Sequence, residues 1–405
     1  MFRARIWALA ATTLAAAAPL AAQQAPAGTT TQPAQQAQTA AATPLNFSGV
    51  IFGSYNYAVP VTGTFNNQVN NQFIVDRAYL TFRMPAGDKT SIRITTDIFQ
   101  DAGTNAYTVR AKYAYLQYDG DKSSTGAQLS GRLGILQNVL IDHEENFWPR
   151  FLSTVPTERA GFFASADAGV AATYTMPSKM GEVYGTIVNG PGYSARERDR
   201  FKDFALRVSL TPLATKQVAP LFQGLTLTGW TYKGAQASNF VNGNAGLGLA
   251  PVGTALDRSR YGVLVGVREP RMTLAAQYAT RSDERDTASA TLPVTVIGTK
   301  GNLWSVYGTV RPLAFMNGAG KSSIGFVGRY DHVSPTASTD NAPVGYVPPP
   351  TSNAYHTLVG GLFWDLSQKA QLALDYQESL ASNNNNSFAP PAPSKGYFAH
   401  FVVNF

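Results

Sequence analysis

Arginine outnumbers lysine 21 to 11 in this 405-residue chain, and many of the arginines sit at the polar positions of short alternating runs. Arg77, Arg93, Arg132, Arg207, Arg260, Arg271 and Arg329 are the candidates. A guanidinium is always charged and presents a fork of donors that fits carboxylate or phosphate. Set around a water path, such rings favour anions, and low-dielectric walls concentrate their field. The alternative is local pairing with Asp97, Asp203 or Asp331, which by itself says little about function. A second group lies in the segment 138–168, NVLIDHEENFWPRFLSTVPTERAGFFASADA. Its acids Asp142, Glu144 and Glu145 could oppose the arginines across a narrow passage. Phe147, Trp148, Phe151, Phe162 and Phe163 would be costly in water, so the segment is expected to fold inward against a wall instead of capping the molecule from outside. Connections this long are usually functional.

Catalytic chemistry finds little support. The chain has no cysteine and four histidines, His143, His332, His356 and His400. In RYDHVSP, His332 is flanked by Asp331 and Ser334, but strand neighbours point to opposite faces, which separates Asp331 from His332. A serine nucleophile needs a base within hydrogen-bond reach and a third group to orient it. No two histidines have metal-ligand spacing in the sequence. NGPG (189–192) is a turn with no helix after it, not a phosphate cradle. The arginines are spread over many segments, unlike a nucleic-acid footprint. The reading is of a non-enzyme with no catalytic residues, no cofactor, no metal and no nucleic-acid partner.

The elements that must position these residues are strands. Sixteen segments alternate apolar and polar residues: 45–58, 72–84, 90–99, 109–119, 127–137, 169–176, 181–189, 202–211, 222–233, 258–267, 270–280, 301–311, 321–333, 355–366, 368–378 and 395–405. In FALRVSL, for example, Phe204, Leu206, Val208 and Leu210 oppose Arg207 and Ser209. Period-two alternation is a strand signal. Connections after odd strands are mostly long, 281–300 among them, and those after even strands short, which is the parity of a membrane barrel with long outer loops and short periplasmic turns. The fold expected is all-β: a transmembrane antiparallel β-barrel of about 16 strands spanning 45–405, wide enough for an aqueous channel. Only 14% of residues are charged, against roughly 25% in soluble proteins. The last run, GYFAHFVVNF, places Tyr397, Phe401, Val403 and Phe405 on one face, which would meet lipid.

Residues 1–22 read as a signal peptide, with basic Arg3 and Arg5, an apolar core from Ile6 to Leu20 and small Ala21-Ala22. Its removal lowers the formal charge from +7 to +5. Residues 23–44 carry no charge, aromatic residue or apolar period, and read as a disordered periplasmic linker.

The stretch 165–213 resembles the phosphate-selective porin O and P family and related outer-membrane porins, through Asp167 with Gly169-Val170, the Asn189-Gly190-Pro191-Gly192 turn, Lys202-Asp203, and Arg207 before Pro212. DRAYLTFR and AKYAYLQYD are similar to that family's early strands. The resemblance implies a sixteen-stranded, homotrimeric, passive channel in the outer membrane of a Gram-negative-type bacterium. The family's phosphate-specific members add a lysine cluster in the lumen that this sequence does not display. The terminal phenylalanine resembles the signature read by the barrel assembly machinery. The expected function is diffusion of small hydrophilic solutes with an anion preference. The alternatives are an oligosaccharide or organic-anion channel, with Tyr79, Tyr113, Tyr115 and Trp230 as a stacking surface, or a structural or adhesive barrel blocked by its loops.

Overall fold

A computed structural model describes residues 45–58, 70–101, 104, 106–197, 199–238, 254–289, 292–316, 322–341, 354–381 and 395–405. The expected signal peptide (1–22) and linker (23–44), and most of the longer connections (59–69, 239–253, 342–353, 382–394), lie outside the described residues.

Sixteen strands close into one antiparallel barrel in which each strand pairs with its sequence neighbours and the last pairs with the first. They are β1 Asn46–Ala58, β2 Asn70–Gly87, β3 Thr90–Gln100, β4 Tyr107–Asp119, β5 Gln128–Gln137, β6 Ala166–Thr175, β7 Gly181–Val188, β8 Asp203–Leu210, β9 Leu225–Ala237, β10 Ala255–Glu269, β11 Met272–Ser289, β12 Leu292–Val310, β13 Ile324–Asp340, β14 Tyr355–Asp365, β15 Ala370–Ala381 and β16 Lys395–Asn404. Closure matters because lipid cannot hydrogen-bond an open strand edge. The seam runs from Val50↔Asn404 to Ala58↔Gly396, and Gly49 and Phe405 exchange backbone hydrogen bonds just beyond it at 2.9 and 3.0 Å. Glycine keeps this seam flat on its outer face: the rings of Phe405 and Phe401 occupy the places where side chains on Gly49 and Gly53 would stand.

Burial runs opposite to that of a water-soluble protein. On β8, Phe204, Leu206 and Leu210 are exposed while Arg207 and Ser209 are buried. On β10, Tyr261, Val263 and Val265 are exposed while Arg260 and Leu264 are buried. An apolar outside and a polar inside mark a barrel solvated by lipid. Outward Tyr107, Tyr261, Tyr278, Trp304 and Tyr397 lie toward the ends joined by the longer connections, and Tyr118, Tyr174 and Trp364 toward the opposite ends. Amphipathic rings favour these two interfaces.

Several boundaries differ from the sequence reading; β13, for example, runs on to Asp340 through part of the expected 334–354 loop. Residues 281–300 do not form a long loop, because β11 and β12 continue to Ser289 and Leu292. Their polar outer ends, with Asp283, Glu284 and Arg285, break the apolar alternation while the β-branched run VTVIGT still favours pairing. The β9 segment starts at Leu225, because the short helix α3 (Pro220–Gln223) occupies the turn before it; the helices α1 (Ile141–Glu144) and α2 (Pro156–Arg159) precede it in the chain, and α4 (Pro312–Met316) fills the turn after β12.

Candidate pore lining and the inserted loop

The connection between β5 and β6 folds into the barrel. Its residues Val139, Leu140, Ile141, Phe147, Trp148, Phe151, Leu152, Val155, Phe162 and Phe163 are all buried. Trp148 packs edge-on to Tyr307 of β12, Phe163 to Trp230 and Tyr232 of β9, and Phe151 to His400 of β16. Gly266 on β10 leaves room for this docking, since a side chain there would stand 2.4 Å from the Phe147 ring.

Polar clamps fix the loop's backbone to the β7–β16 side. Arg207 Nε donates to the Val139 carbonyl at 2.5 Å, Arg329 Nη1 to Thr154 at 2.5 Å, and Arg260 Nη1 to Phe162. Arg281 reaches the Ala160 carbonyl at 3.3 Å and Gln377 donates to Leu152 at 3.0 Å, while Tyr184 donates to Gln137, the last residue of β5, at 2.9 Å. The loop returns one such contact through Arg159, which donates to Ser379 Oγ at 3.0 Å. Irregular backbone inside a barrel needs partners of this kind, since an unpaired buried carbonyl costs about 1–3 kcal/mol.

This arrangement corrects part of the expected pore lining. Arg207, Arg260 and Arg329 lie on the inner face but are buried beneath the loop. Each also pairs with a carboxylate: Arg207 with Glu182, Arg260 with Asp283 at 3.0 Å, and Arg329 with Asp331 at 2.6 Å. They hold the loop and carry little free charge. Arg271 sits in the turn between β10 and β11, paired with Glu269 at 2.9 Å and stacked on Phe315, and so lies at the barrel's end. Arg77 shares the fully buried Asp97 with Arg110, at 2.9 and 3.0 Å, and Tyr193 also donates to that carboxylate. Two cations thus face one anion there.

Arg93 and Arg132 differ. Neither pairs with a carboxylate among the described residues. Arg93 donates to Thr95 Oγ1 and stacks 4.6 Å from the Tyr113 ring centroid. Arg132 donates to Gln117 Oε1 at 2.9 Å and lies over Tyr115 and Tyr184. Arg83 is the cross-strand partner of Arg93. Lys112 stands 4.2 Å from the Tyr79 ring centroid and 5.4 Å from that of Tyr113. The sequence list lacked both Arg83 and Lys112. Strict alternation hides Lys112, because Thr95 pairs with Tyr113 and Thr96 with Ala111, leaving Lys112 as the extra residue of a bulge. Such a bulge re-aims a side chain. The available signal was the change of face between Lys112, polar on even numbers with Arg110, and the inward Tyr113, Tyr115 and Gln117.

The loop acids do not form the expected row. Glu144 is fully buried inside the loop, where the Thr157 hydroxyl donates to it, and burial pushes its carboxyl up to about 8. Glu145 pairs with Arg150 of the same loop at 2.6 Å, and Glu158 joins that guanidinium at 2.7 Å. Asp142 alone reaches the β2–β5 wall, accepting from Tyr113 Oη at 3.0 Å. Between Asp142 and Glu144, His143 bridges Arg207 Nη1 (3.0 Å) and Thr228 Oγ1 (2.8 Å); burial, then the Arg207 charge, lowers it to about 3 and keeps it neutral. The inner surface is therefore asymmetric, with a tyrosine-backed cationic wall facing a loop whose own charges are largely compensated. A cavity of about 450 Å³ remains beside the loop, bordered by Arg132, Asn138, Asp142, Tyr184 and Arg268.

Tyr397, Phe401, Val403 and Phe405, expected from the sequence to form an assembly signature, all point outward from β16. Asp331 faces inward to Arg329 and Ser305 while His332 faces outward, so no Ser–His–Asp arrangement forms at RYDHVSP.

No family model matches the chain, and no curated protein matches it. Solved structures share the fold at low identity. An anion-selective porin from Comamonas acidovorans aligns with TM-score 0.55 and 9% identity over 90% of this chain and 100% of its own. The outer-membrane channel DcaP of Acinetobacter baumannii gives 0.55 and 13% over 89% and 97%. OmpT of Vibrio cholerae, an outer-membrane protein in its trimer form, gives 0.54 and 11% over 90% and 100%.

Proposed function

We propose that this chain is a passive outer-membrane channel for small hydrophilic solutes with a preference for anions. One observation carries the anion preference: Arg83, Arg93 and Arg132 share the β2–β5 wall without a carboxylate partner among the described residues, with Lys112 buried behind them, while Glu144 is held neutral by burial and Arg150 offsets one of the two charges of Glu145 and Glu158. An anion moving along that wall exchanges water for guanidinium donors, those of Arg93 and Arg132 backed by tyrosine rings. The higher pair, Arg77 and Arg110 around Asp97, adds one net positive charge toward the mouth. Phosphate specificity has weaker support, since Lys112 is the single lysine on this wall. Recording the zero-current potential across a bilayer under a salt gradient tests the reading directly.

A sugar channel fits less well, because Tyr79, Tyr113, Tyr115 and Trp230 are all buried and offer no open stacking face. A blocked barrel has one point in its favour, the Tyr113–Asp142 bridge that ties the loop to the wall it would otherwise leave free. Absence of any conductance from well-folded protein would select that reading. The proposal also includes export by the 1–22 leader, a 23–44 spacer in the periplasm, delivery of the outward Phe405 face to the barrel assembly machinery, a lipid-solvated exterior and assembly as a homotrimer, as in the Vibrio OmpT structure.

A further inference from the structure

Two of the four histidines are 24 residues apart in sequence and adjacent in space. His332 of β13 and His356 of β14 are direct cross-strand partners on the outward face, with ring centroids 4.7 Å apart. Their Nδ1 atoms approach to 3.2 Å. Tyr330 Oη also lies 2.5 Å from His356 Nδ1. An imidazole nitrogen has one lone pair, so that atom cannot serve two donors well. The Nε2 of His332 lies 3.2 Å from Ser334 Oγ, which can accept a hydrogen bond from Nε2–H in the tautomer that leaves Nδ1 as the electron-pair donor. Trp304 stacks on His332 at 5.9 Å, holding the ring against the strand.

The geometry points to a two-histidine chelate for a divalent transition metal, Cu²⁺ or Zn²⁺, on the outer surface of β13–β14. A metal about 2.0–2.1 Å from each nitrogen would see two donors 3.2 Å apart at an angle of about 100°. That angle lies between the square-planar and tetrahedral values, which suits copper and zinc respectively. No third His, Cys, Asp or Glu converges on the pair among the described residues. The pair lies toward the long-connection end of both strands, beyond outward Phe326 and Leu358 in the apolar belt, where an aqueous ion can reach it. Neither side chain enters the lumen. The site is therefore independent of the proposed conduction path.

Titration of Cu²⁺ alone into the full detergent-solubilised barrel tests this, with calorimetry for stoichiometry and electron paramagnetic resonance for coupling to nitrogen. The wild type should bind one equivalent with two imidazole nitrogens coordinated. His332→Gln and His356→Gln should each weaken binding at least about tenfold. Heat-modifiable mobility identifies folded variants. Because His143 and His400 are buried, they offer little competing background. Unchanged copper affinity in the folded double variant, or no specific binding in the wild type, would overturn the assignment.

Discussion

Replacing Arg93 with Glu inverts one charge at the place where the loop meets the cationic wall. Arg93 stacks on Tyr113, and Tyr113 donates to Asp142, so the three groups bound the same narrow zone. Arg83, Arg93 and Arg132 on this wall lack carboxylate partners among the described residues, and Asp142 is the loop acid hydrogen-bonded to it. An ion passing about 5 Å from Arg93 in a water-like dielectric feels about 0.8 kcal/mol per unit charge. The two-charge swing therefore penalises an anion by about 1.7 kcal/mol, which screening at physiological salt roughly halves. Anion occupancy should fall about fourfold and cation occupancy rise about fourfold, since 1.4 kcal/mol is tenfold. Such a change reverses a modest preference, so the zero-current potential should change sign, with Arg93→Gln intermediate. Lys233, paired with Asp257 on the outward face, serves as the control. Its replacement by Gln should leave the potential unaltered. A folded Arg93→Glu channel with wild-type potential, or a larger effect from Lys233→Gln, would refute the placement of the selective zone.

Other substitutions probe the loop that defines this zone. Arg329→Ala removes the clamp on Thr154 and leaves Asp331 buried without its cation, at a cost of about 3–5 kcal/mol; the folded form should melt at lower temperature and the single-channel current become noisier. Gly266→Val should push against Phe147 and cost about 1–3 kcal/mol of loop docking, read as faster cleavage of the loop by added protease, with partial rescue by Phe147→Ala. Glu144 is held neutral by burial up to about 8, whereas a released loop would ionise it near 4.5. The docked state then binds the extra proton, so docking is strongest below about pH 4.5 and weakens as pH rises toward 8. Protease protection of the loop should decline over that window, and Glu144→Gln should flatten the decline. Asp142→Asn should increase anion preference, while Glu145→Gln should do so less because Glu145 lies against Arg150, which it shares with Glu158.

Much of this architecture is legible in the sequence because strand alternation is a local property. Phe204 and Arg207 announce their faces without any partner being known, and i to i+2 neighbours on one face, such as Arg329 and Asp331, foreshadow their ion pair. The aromatic load of Phe147, Trp148, Phe162 and Phe163 likewise points the loop inward. What escapes is set by register and by three-dimensional closure. The bulge that turns Lys112 inward depends on how β3 and β4 align. Glu144 reads as a pore acid until Thr157, thirteen residues later, is seen beside it in a dry interior. Arg207 and Arg260 read as lining residues because nothing in their strands reveals that loop carbonyls cover them. His332 and His356 become neighbours only through the pairing of β13 with β14.

The most direct measurement is the zero-current potential of the unmodified protein in a planar bilayer under a potassium chloride gradient. With Arg83, Arg93 and Arg132 facing a largely compensated loop, the sign should be that of chloride-favouring conduction, and the magnitude should shrink as salt is raised. A cation-favouring sign, or folded protein that passes no current, would contradict an anion path along the β2–β5 wall.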